Sequence, residues 1–161
     1  KKSPIIIELI ISNDSKVEGL KFSKIYNIKK KIFDFKKKKK SEKAIILELK
    51  KNKINLICLA GFMKILSHNF IKNFKGKILN IHPSLLPKYK GLNTHERAIK
   101  NNEKYSGCTV HYVNSKLDSG KIIIQKKVKI KRNDTPKSLA KRVLIEEHKL
   151  YPNAIMKIFN L

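Results

Sequence analysis

An amide, an imidazole and a carboxylate occur in two short motifs of this chain. Asn80 and His82 stand in Asn80-Ile81-His82-Pro83, and Asp118 stands in Leu117-Asp118-Ser119-Gly120. Because residues two apart in a strand point to the same side, Asn80 and His82 are predicted to leave a strand end together. Amide and imidazolium donors can hold a carbonyl oxygen as it becomes negative, and a carboxylate can support the imidazole and accept a proton. These are the groups that transfer of a one-carbon acyl unit requires.

Each of these residues alone also fits a structural role, since Asn and Leu-Asp-x-Gly are common in turns and His is often a hydrogen-bonded core residue. The pairing of Asp118 with His82 favours the functional interpretation, because a nearby carboxylate favours the imidazolium cation. Thr109 and His111 share one face of the preceding strand and are predicted either to shape the site or to pack. His82, His95, His111 and Asp118 could bind a metal by residue type, but no HxxxH or HxxE spacing supports this, so no metal is expected.

The composition bounds the class of protein. A chain of 161 residues is predicted to form a single domain, residues 1–161, with a core large enough to fold without disulfides or metals. Lysine supplies 35 of the 38 basic residues behind the net charge of +26 and is spread over the whole chain, which indicates solvated positions and no specific nucleic-acid partner. Cys58 and Cys108 lie in apolar runs and are expected to be buried thiols in a reducing cytoplasm. No apolar stretch approaches the roughly 18 residues of a membrane span, so no membrane partner is expected.

Strand-like and helix-like segments alternate along the chain, which predicts an open α/β sheet, mostly parallel and twisted, with helices on both faces. The strands are expected at residues 5–11, 24–28, 56–60, 78–81, 108–113 and 122–128. The helices are expected at roughly 15–23, 41–51 and 68–74, and a further helix is expected to begin at Thr135-Pro136. The last two strands are expected to extend the sheet in an antiparallel or mixed manner. Pro152 is expected to kink or restart the last helix.

From Leu59 to Tyr151 the chain resembles the phosphoribosylglycinamide formyltransferases, a folate-dependent family of purine synthesis with a Rossmann-like fold. Several long motifs in the same order make this resemblance specific, and it weakens before about residue 55. The motifs are Leu59-Ala60-Gly61-Phe62-Met63-Lys64-Ile65-Leu66-Ser67, Leu79-Asn80-Ile81-His82-Pro83-Ser84-Leu85-Leu86-Pro87-Lys88-Tyr89-Lys90-Gly91, Gly107-Cys108-Thr109-Val110-His111-Tyr112-Val113, Leu117-Asp118-Ser119-Gly120 and Glu146-Glu147-His148-Lys149-Leu150-Tyr151-Pro152.

The resemblance implies a reaction and assigns residues to it. The formyl group of 10-formyltetrahydrofolate would pass directly to the amine of glycinamide ribonucleotide, without an acyl-enzyme or a metal. Asn80 and His82 would hold the oxyanion, and Asp118 would support His82 and mediate removal of a proton. The loop 114–118 would close over the pterin. The residues implied to bind folate are Phe62, Met63, Lys64, Ile65, Leu66, Asn80 and Asn114, and those implied to bind the nucleotide are Gly61, Pro83 and Glu147.

Some parts of the chain depart from the family pattern. Lys64 stands where members often have arginine, and Lys36, in Phe33-Asp34-Phe35-Lys36, matches a short arginine motif only loosely. The family's first strand and glycine-rich phosphate loop have no counterpart, so the chain is expected to be an N-terminally incomplete member with impaired phosphate binding. The resemblance implies a cytoplasmic enzyme, either a monomer or a homodimer.

Three other functions remain open from the sequence. Formyltetrahydrofolate deformylase, a hydrolase, shares the catalytic trio, and methionyl-tRNA formyltransferase shares the Ser-Leu-Leu-Pro loop. A basic nucleic-acid-binding protein belongs to a different class and would have no use for an aligned amide, imidazole and carboxylate. Residues 83–95 favour the phosphoribosylglycinamide formyltransferases.

Overall fold

The computed structural model describes residues 5–161, so the first four residues of the predicted domain 1–161 lie outside the described part. The described chain divides into two compact units. One consists of the residues up to Asn55 together with Lys72–Gly76, and the other consists of Leu56–Ile71 and Lys77–Leu161. The assignment of a single domain stays a prediction.

The first unit contains a two-stranded parallel sheet. Strand β1 (Leu9–Ser12) pairs with β2 (Lys29–Ile32), with Leu9 opposite Lys29. Short 3-10 turns at Glu18–Leu20 and Phe35–Lys37 lead into helices α1 (Lys21–Ile25) and α2 (Lys38–Lys51). In α2 the buried residues Ser41, Glu42, Ile45 and Leu49 recur at helical spacing, so that one face of the helix is buried.

The strand predicted at residues 24–28 is wrong. Ile25 ends α1, and the amide of Ile28 donates to the carbonyl of Ser23 at 2.8 Å, which closes the helix through Asn27 in the left-handed conformation. The strand begins at Lys29, and all of its residues are exposed. The helix predicted at 15–23 is also displaced toward the C-terminus, since α1 ends at Ile25. Pairing with β1, and not apolar content, decides where the second strand runs.

The second unit contains a mixed four-stranded sheet in the order β3-β4-β5-β6. Its strands are β3 (Leu56–Leu59), β4 (Lys77–His82), β5 (Tyr105–Tyr112) and β6 (Ile122–Lys129). The pair β3–β4 is parallel, whereas β4–β5 and β5–β6 are antiparallel. These pairings confirm the α/β class and the prediction that the last two strands extend the sheet in an antiparallel or mixed manner. Helices α3 (His68–Asn73) and α4 (Thr94–Lys100) lie on the connections before and after β4. The sequence pattern predicted α3 but not α4.

Helix α5 (Pro136–Phe159) covers β5 and β6 and completes the core of this unit. The Thr135 hydroxyl accepts from the Ser138 amide at 3.1 Å, and the Ser138 hydroxyl accepts from the Thr135 amide at 2.9 Å, a reciprocal cap that fixes the helix start where the sequence predicted it. The helix continues through Pro152 instead of restarting there. Its buried face is formed by Leu139, Val143, Leu150 and Ala154, which pack with Leu79, Cys108, Val110 and Val128 of the sheet.

The two cysteines differ in environment. Cys108 is fully buried as expected, but the prediction of a buried thiol at Cys58 is wrong, because this residue is exposed. Cys58 lies on β3, which ends the strand order of its sheet and is therefore paired on one side only. Within residues 5–161, no helix has the length and apolar content needed to cross a bilayer.

Candidate active site

The antiparallel pairing of β4 with β5 places two predicted site residues opposite two others. Asn80 faces His111, and His82 faces Thr109. The Asn80 amide nitrogen Nδ2 lies 3.4 Å from Nε2 of His111. Since residues two apart share a face of the sheet, these four side chains form one polar cluster at the carboxyl end of β4. His82, Thr109 and His111 are buried.

Asp118 reaches this cluster from the loop between β5 and β6. Its Oδ2 lies 3.4 Å from Nδ1 of His82, and its Oδ1 lies 3.8 Å from Nε2 of His111. The amide of Gly91 donates to Oδ2 at 2.9 Å. The structure therefore brings Asp118 to His82 and His111, although Asp118 lies 36 residues after His82 in the sequence.

His111 is held in one tautomer by its partners. Its Nδ1 lies 2.8 Å from the carbonyl oxygen of Tyr112, which can only accept, so Nδ1 carries the proton. Burial lowers the pKa of His111 and outweighs the opposing effect of Asp118, so the ring is neutral near pH 7. The unprotonated Nε2 then accepts a hydrogen bond from the Asn80 amide, which orients that amide.

His82 has acceptors at both of its ring nitrogens. Its Nε2 lies 2.9 Å from the carbonyl oxygen of Tyr89, and its Nδ1 faces the Asp118 carboxylate. Both ring nitrogens of His82 therefore face oxygen atoms that can accept a hydrogen bond. His82 also affects His95, which lies on α4. Burial lowers the pKa of His95, and the electrostatic effect of His82 lowers it further. The Asp118 carboxylate therefore lies between His82 and the neutral ring of His111.

A cleft of about 80 Å³ opens beside the cluster. Of the residues predicted to bind folate, only Met63 does not line it; Met63 is exposed. Lys116 and Leu117, from the loop predicted to close over the pterin, also line the cleft, as do Leu59 and Val113, which were not assigned to the folate site. The complete lining is Leu59, Phe62, Lys64, Ile65, Leu66, Asn80, His111, Val113, Asn114, Lys116, Leu117 and Asp118. The cleft thus has apolar walls and a polar end formed by the amide, the neutral histidine and the carboxylate.

The residues predicted to bind the nucleotide do not line this cleft. Gly61 is exposed with φ of 61°, Pro83 follows the end of β4, and Glu147 lies on α5, where burial raises the pKa of its carboxyl group. Lys36 belongs to the first unit, where its amide donates to Asp34 at 2.8 Å. The roles of these four residues stay predictions.

Two contacts near the cluster have no obvious signal in the sequence. The Tyr151 hydroxyl, from α5, lies 2.8 Å from the carbonyl oxygen of Leu59 and 3.1 Å from that of Leu79, and so ties the helix to β3 and β4. Thr109 donates to the Ser84 carbonyl at 2.6 Å and accepts from the Leu86 amide at 3.1 Å, so it holds the loop that leaves β4.

Across residues 5–161, no three His, Cys, Asp or Glu side chains are grouped as metal ligands.

Comparison with known proteins identifies the family to which the chain belongs. The model of the formyl transferase family matches residues 2–155. A phosphoribosylglycinamide formyltransferase of Haemophilus influenzae is 42% identical over 155 residues, which cover 94% of this chain and 73% of that protein. The human trifunctional purine biosynthetic protein adenosine-3 is also 42% identical over 155 residues, but the chain spans only 15% of its length.

Solved structures agree with the sequence comparison. The crystal structure of phosphoribosylglycinamide formyltransferase from Bacillus halodurans superposes with a TM-score of 0.91 at 34% identity, covering 96% of this chain and 81% of that one. The enzyme from Anaplasma phagocytophilum gives 0.90 at 42% identity, covering 96% and 73%. The chain belongs to the formyl transferase family, and the relatives that it resembles there are phosphoribosylglycinamide formyltransferases.

Proposed function

We propose that this chain transfers the formyl group of 10-formyltetrahydrofolate to the amine of glycinamide ribonucleotide, a step of purine synthesis. The observation that carries the proposal is that Asn80 and Asp118 lie at the polar end of an apolar cleft, with His82 3.4 Å from the Asp118 carboxylate. Membership of the formyl transferase family and the names of the relatives support the same reaction.

The cleft suits the folate donor. Phe62, Leu66 and Val113 supply apolar walls for a flat heteroaromatic ring, and the polar end supplies hydrogen-bonding groups where its formyl group must react. Asn114 and Lys116 place the loop 114–118, of which residues 114–117 are exposed, at the edge of the cleft, where it is suited to close over the bound ring.

The reaction needs a donor for the oxygen that becomes negative. Attack of the amine nitrogen on the formyl carbon forms the new C–N bond and moves electron density onto the formyl oxygen. Asn80 lines the cleft and carries N–H donors, so we assign the oxyanion to this residue, with His82 contributing positive charge behind it. One such donor is typically worth about 3 kcal/mol of the barrier.

Asp118 is assigned the proton transfer. The attacking amine must lose a proton, and the folate nitrogen that leaves must gain one as its bond to the formyl carbon breaks. Asp118 lines the cleft and its carboxylate can accept the first proton, directly or through water, and return it to the leaving nitrogen. No redox partner and no covalent enzyme intermediate are required for these steps.

The nucleotide is assigned to Gly61, Pro83 and Glu147 by family resemblance. The net charge of +26 supports a phosphorylated substrate, because a strongly positive field raises the local concentration of anions. A cytoplasmic location and a monomeric or homodimeric state remain predictions.

A formyl-transfer assay with three acceptors tests the proposal. The purified chain is incubated with 10-formyltetrahydrofolate and either glycinamide ribonucleotide, water alone or charged initiator tRNA, and the formylated product is identified by mass. We expect formylglycinamide ribonucleotide as the main product. Formate alone would show a deformylase, and formylated tRNA alone would show a tRNA formyltransferase; either result overturns the proposal.

A further inference from the structure

Two backbone groups of one loop hold His82 and Asp118. The carbonyl oxygen of Tyr89 accepts from Nε2 of His82 at 2.9 Å, and the amide of Gly91 donates to Oδ2 of Asp118 at 2.9 Å. Both groups belong to the connection between β4 and α4. The position of this loop therefore sets where the imidazole and the carboxylate lie.

The loop is held in a conformation that it does not favour by itself. Tyr89 has φ of 56°, in the left-handed region that bulky residues rarely adopt. Strained backbone of this kind persists only where surrounding contacts fix it, and such positions cluster at functional sites. The contacts that fix Tyr89 are therefore part of what orients the site.

Those contacts come from α4 and the turn after it. The Tyr89 hydroxyl donates to Oε1 of Glu103 at 2.9 Å and accepts from Nδ2 of Asn101 at 3.0 Å. The guanidinium of Arg97 lies 5.1 Å from the centre of the Tyr89 ring and donates to the carbonyl of Lys90 at 2.7 Å. The Tyr89 side chain is thus fixed at its tip and on its face.

We propose that Arg97, Asn101 and Glu103, together called the Tyr89 clamp, are positioning residues for formyl transfer. None of the three lines the cleft, so they act on His82 and Asp118 only through the backbone of the loop. The inference rests on the proposed function for its activity readout. If the clamp merely stabilised the fold, substitutions in it would lower the stability of the protein and leave the turnover of each folded molecule unchanged.

The first test uses Tyr89→Phe and Arg97→Lys, which keep the formal charge of the chain near pH 7. We expect kcat to fall about tenfold, because small displacements of reacting groups are costly, while KM for both substrates stays within about twofold. Tyr105→Phe, on the exposed start of β5, is the matched control and should leave both constants unchanged.

The second test asks whether a conservative replacement rescues the clamp. Glu103→Ala removes the acceptor of the Tyr89 hydroxyl and should lower kcat about tenfold. Glu103→Gln retains an acceptor oxygen and should recover most of that loss. Glu48→Gln, at a glutamate of similar exposure that also pairs with a lysine, controls for the lost surface ion pair.

Hydrogen exchange supplies a readout that does not need activity. The Gly91 amide donates to Asp118, so it should exchange faster in Tyr89→Phe while amides of α5 keep their protection. If the wild-type chain transfers no formyl group, the proposed function fails, and the Gly91 amide still reports whether the clamp positions the loop. Unchanged kcat, or unchanged Gly91 exchange, in both charge-preserving variants overturns the inference.

Discussion

Replacing Asp118 with asparagine is the most informative single change at the site. The variant keeps the size and shape of the side chain and removes its negative charge. In the wild type the carboxylate accepts from the Gly91 amide at 2.9 Å and faces His82 at 3.4 Å, with 9% of the side chain exposed. An amide can keep the bond to Gly91 through its oxygen, but it cannot accept a proton from the attacking amine.

The structure separates the expected catalytic loss from the expected loss of stability. Removing a general base typically costs about 10²- to 10⁴-fold in rate, which corresponds to about 3–6 kcal/mol of barrier. Loss of the carboxylate that faces Nδ1 of His82 at 3.4 Å costs about 1–3 kcal/mol of folding free energy. A domain with an ordinary stability of about 5–15 kcal/mol stays folded after such a loss. Turnover should therefore fall by at least about 100-fold in a folded protein, with both KM values within a few-fold.

Asp134→Asn is the matched control for this experiment. Asp134 is 5% exposed in its side chain, pairs with Arg142, and accepts hydrogen bonds from the Lys131 amide and the Ser138 hydroxyl at the start of α5. It resembles Asp118 in burial and also accepts from a backbone amide, but it belongs to the helix cap. We expect Asp134→Asn to lose stability and to keep the wild-type kcat for each folded molecule.

The assay is steady-state formyl transfer at saturating folate and nucleotide, with the folded fraction of each variant measured by urea denaturation. Turnover of Asp118→Asn within about fivefold of wild type would refute the assignment of Asp118 as the proton acceptor, since that is far less than general-base removal costs. An equal loss of kcat in Asp118→Asn and Asp134→Asn would refute it as well, because only one of these residues lies at the cleft.

Three further changes test other parts of the structure. In Gly120→Ala the added Cβ would lie 1.7 Å from the Tyr112 carbonyl oxygen, so the loop carrying the carboxylate must move, and calorimetry should show a loss of about 1–3 kcal/mol. Tyr151→Phe leaves the carbonyls of Leu59 and Leu79 without their shared side-chain donor, and urea denaturation should show a loss of about 1–3 kcal/mol. Because burial lowers the pKa of His111 below its ordinary 6.5, the native state binds fewer protons than the unfolded chain. Its contribution to stability is complete above pH 6.5 and is lost as the pH falls toward the native pKa, so His111→Asn should flatten that part of the curve and also loosen Asn80.

The sequence predicted the cluster because its members are side chains in recognisable motifs. Asn80 and His82 lie two apart at the end of a short apolar strand, which is enough to place both on one face. Asp118 follows the next strand along the chain, and the antiparallel pairing of β4 with β5 returns the chain to the same edge of the sheet. The start of α5 was equally predictable, since Thr135-Pro136 is a strong local signal.

The sequence did not predict the groups that orient the cluster, because these are mostly backbone groups. The carbonyl of Tyr89 and the amide of Gly91 have no residue-type signature, and their positions depend on a helix, α4, that the pattern did not indicate. The errors at residues 24–28 and at Cys58 have a related cause. Pairing with β1 decided where the strand runs, and packing around β3 decided which of its side chains are exposed; local apolar content decided neither.

Thr109 and His111 illustrate how tertiary contacts remove an ambiguity of the sequence. Their residue types are compatible either with packing or with shaping a site, and the structure gives both residues both properties. Thr109 is fully buried, and its hydroxyl bonds Ser84 and Leu86 in the loop that follows His82. His111 is 2% exposed, and burial keeps its ring neutral, which makes its Nε2 an acceptor for the Asn80 amide. A buried polar group must be hydrogen-bonded, and the partners near Thr109 and His111 belong to the proposed catalytic cluster and its loop. The hydrogen bonds that allow these two residues to be buried therefore also set the geometry of the site.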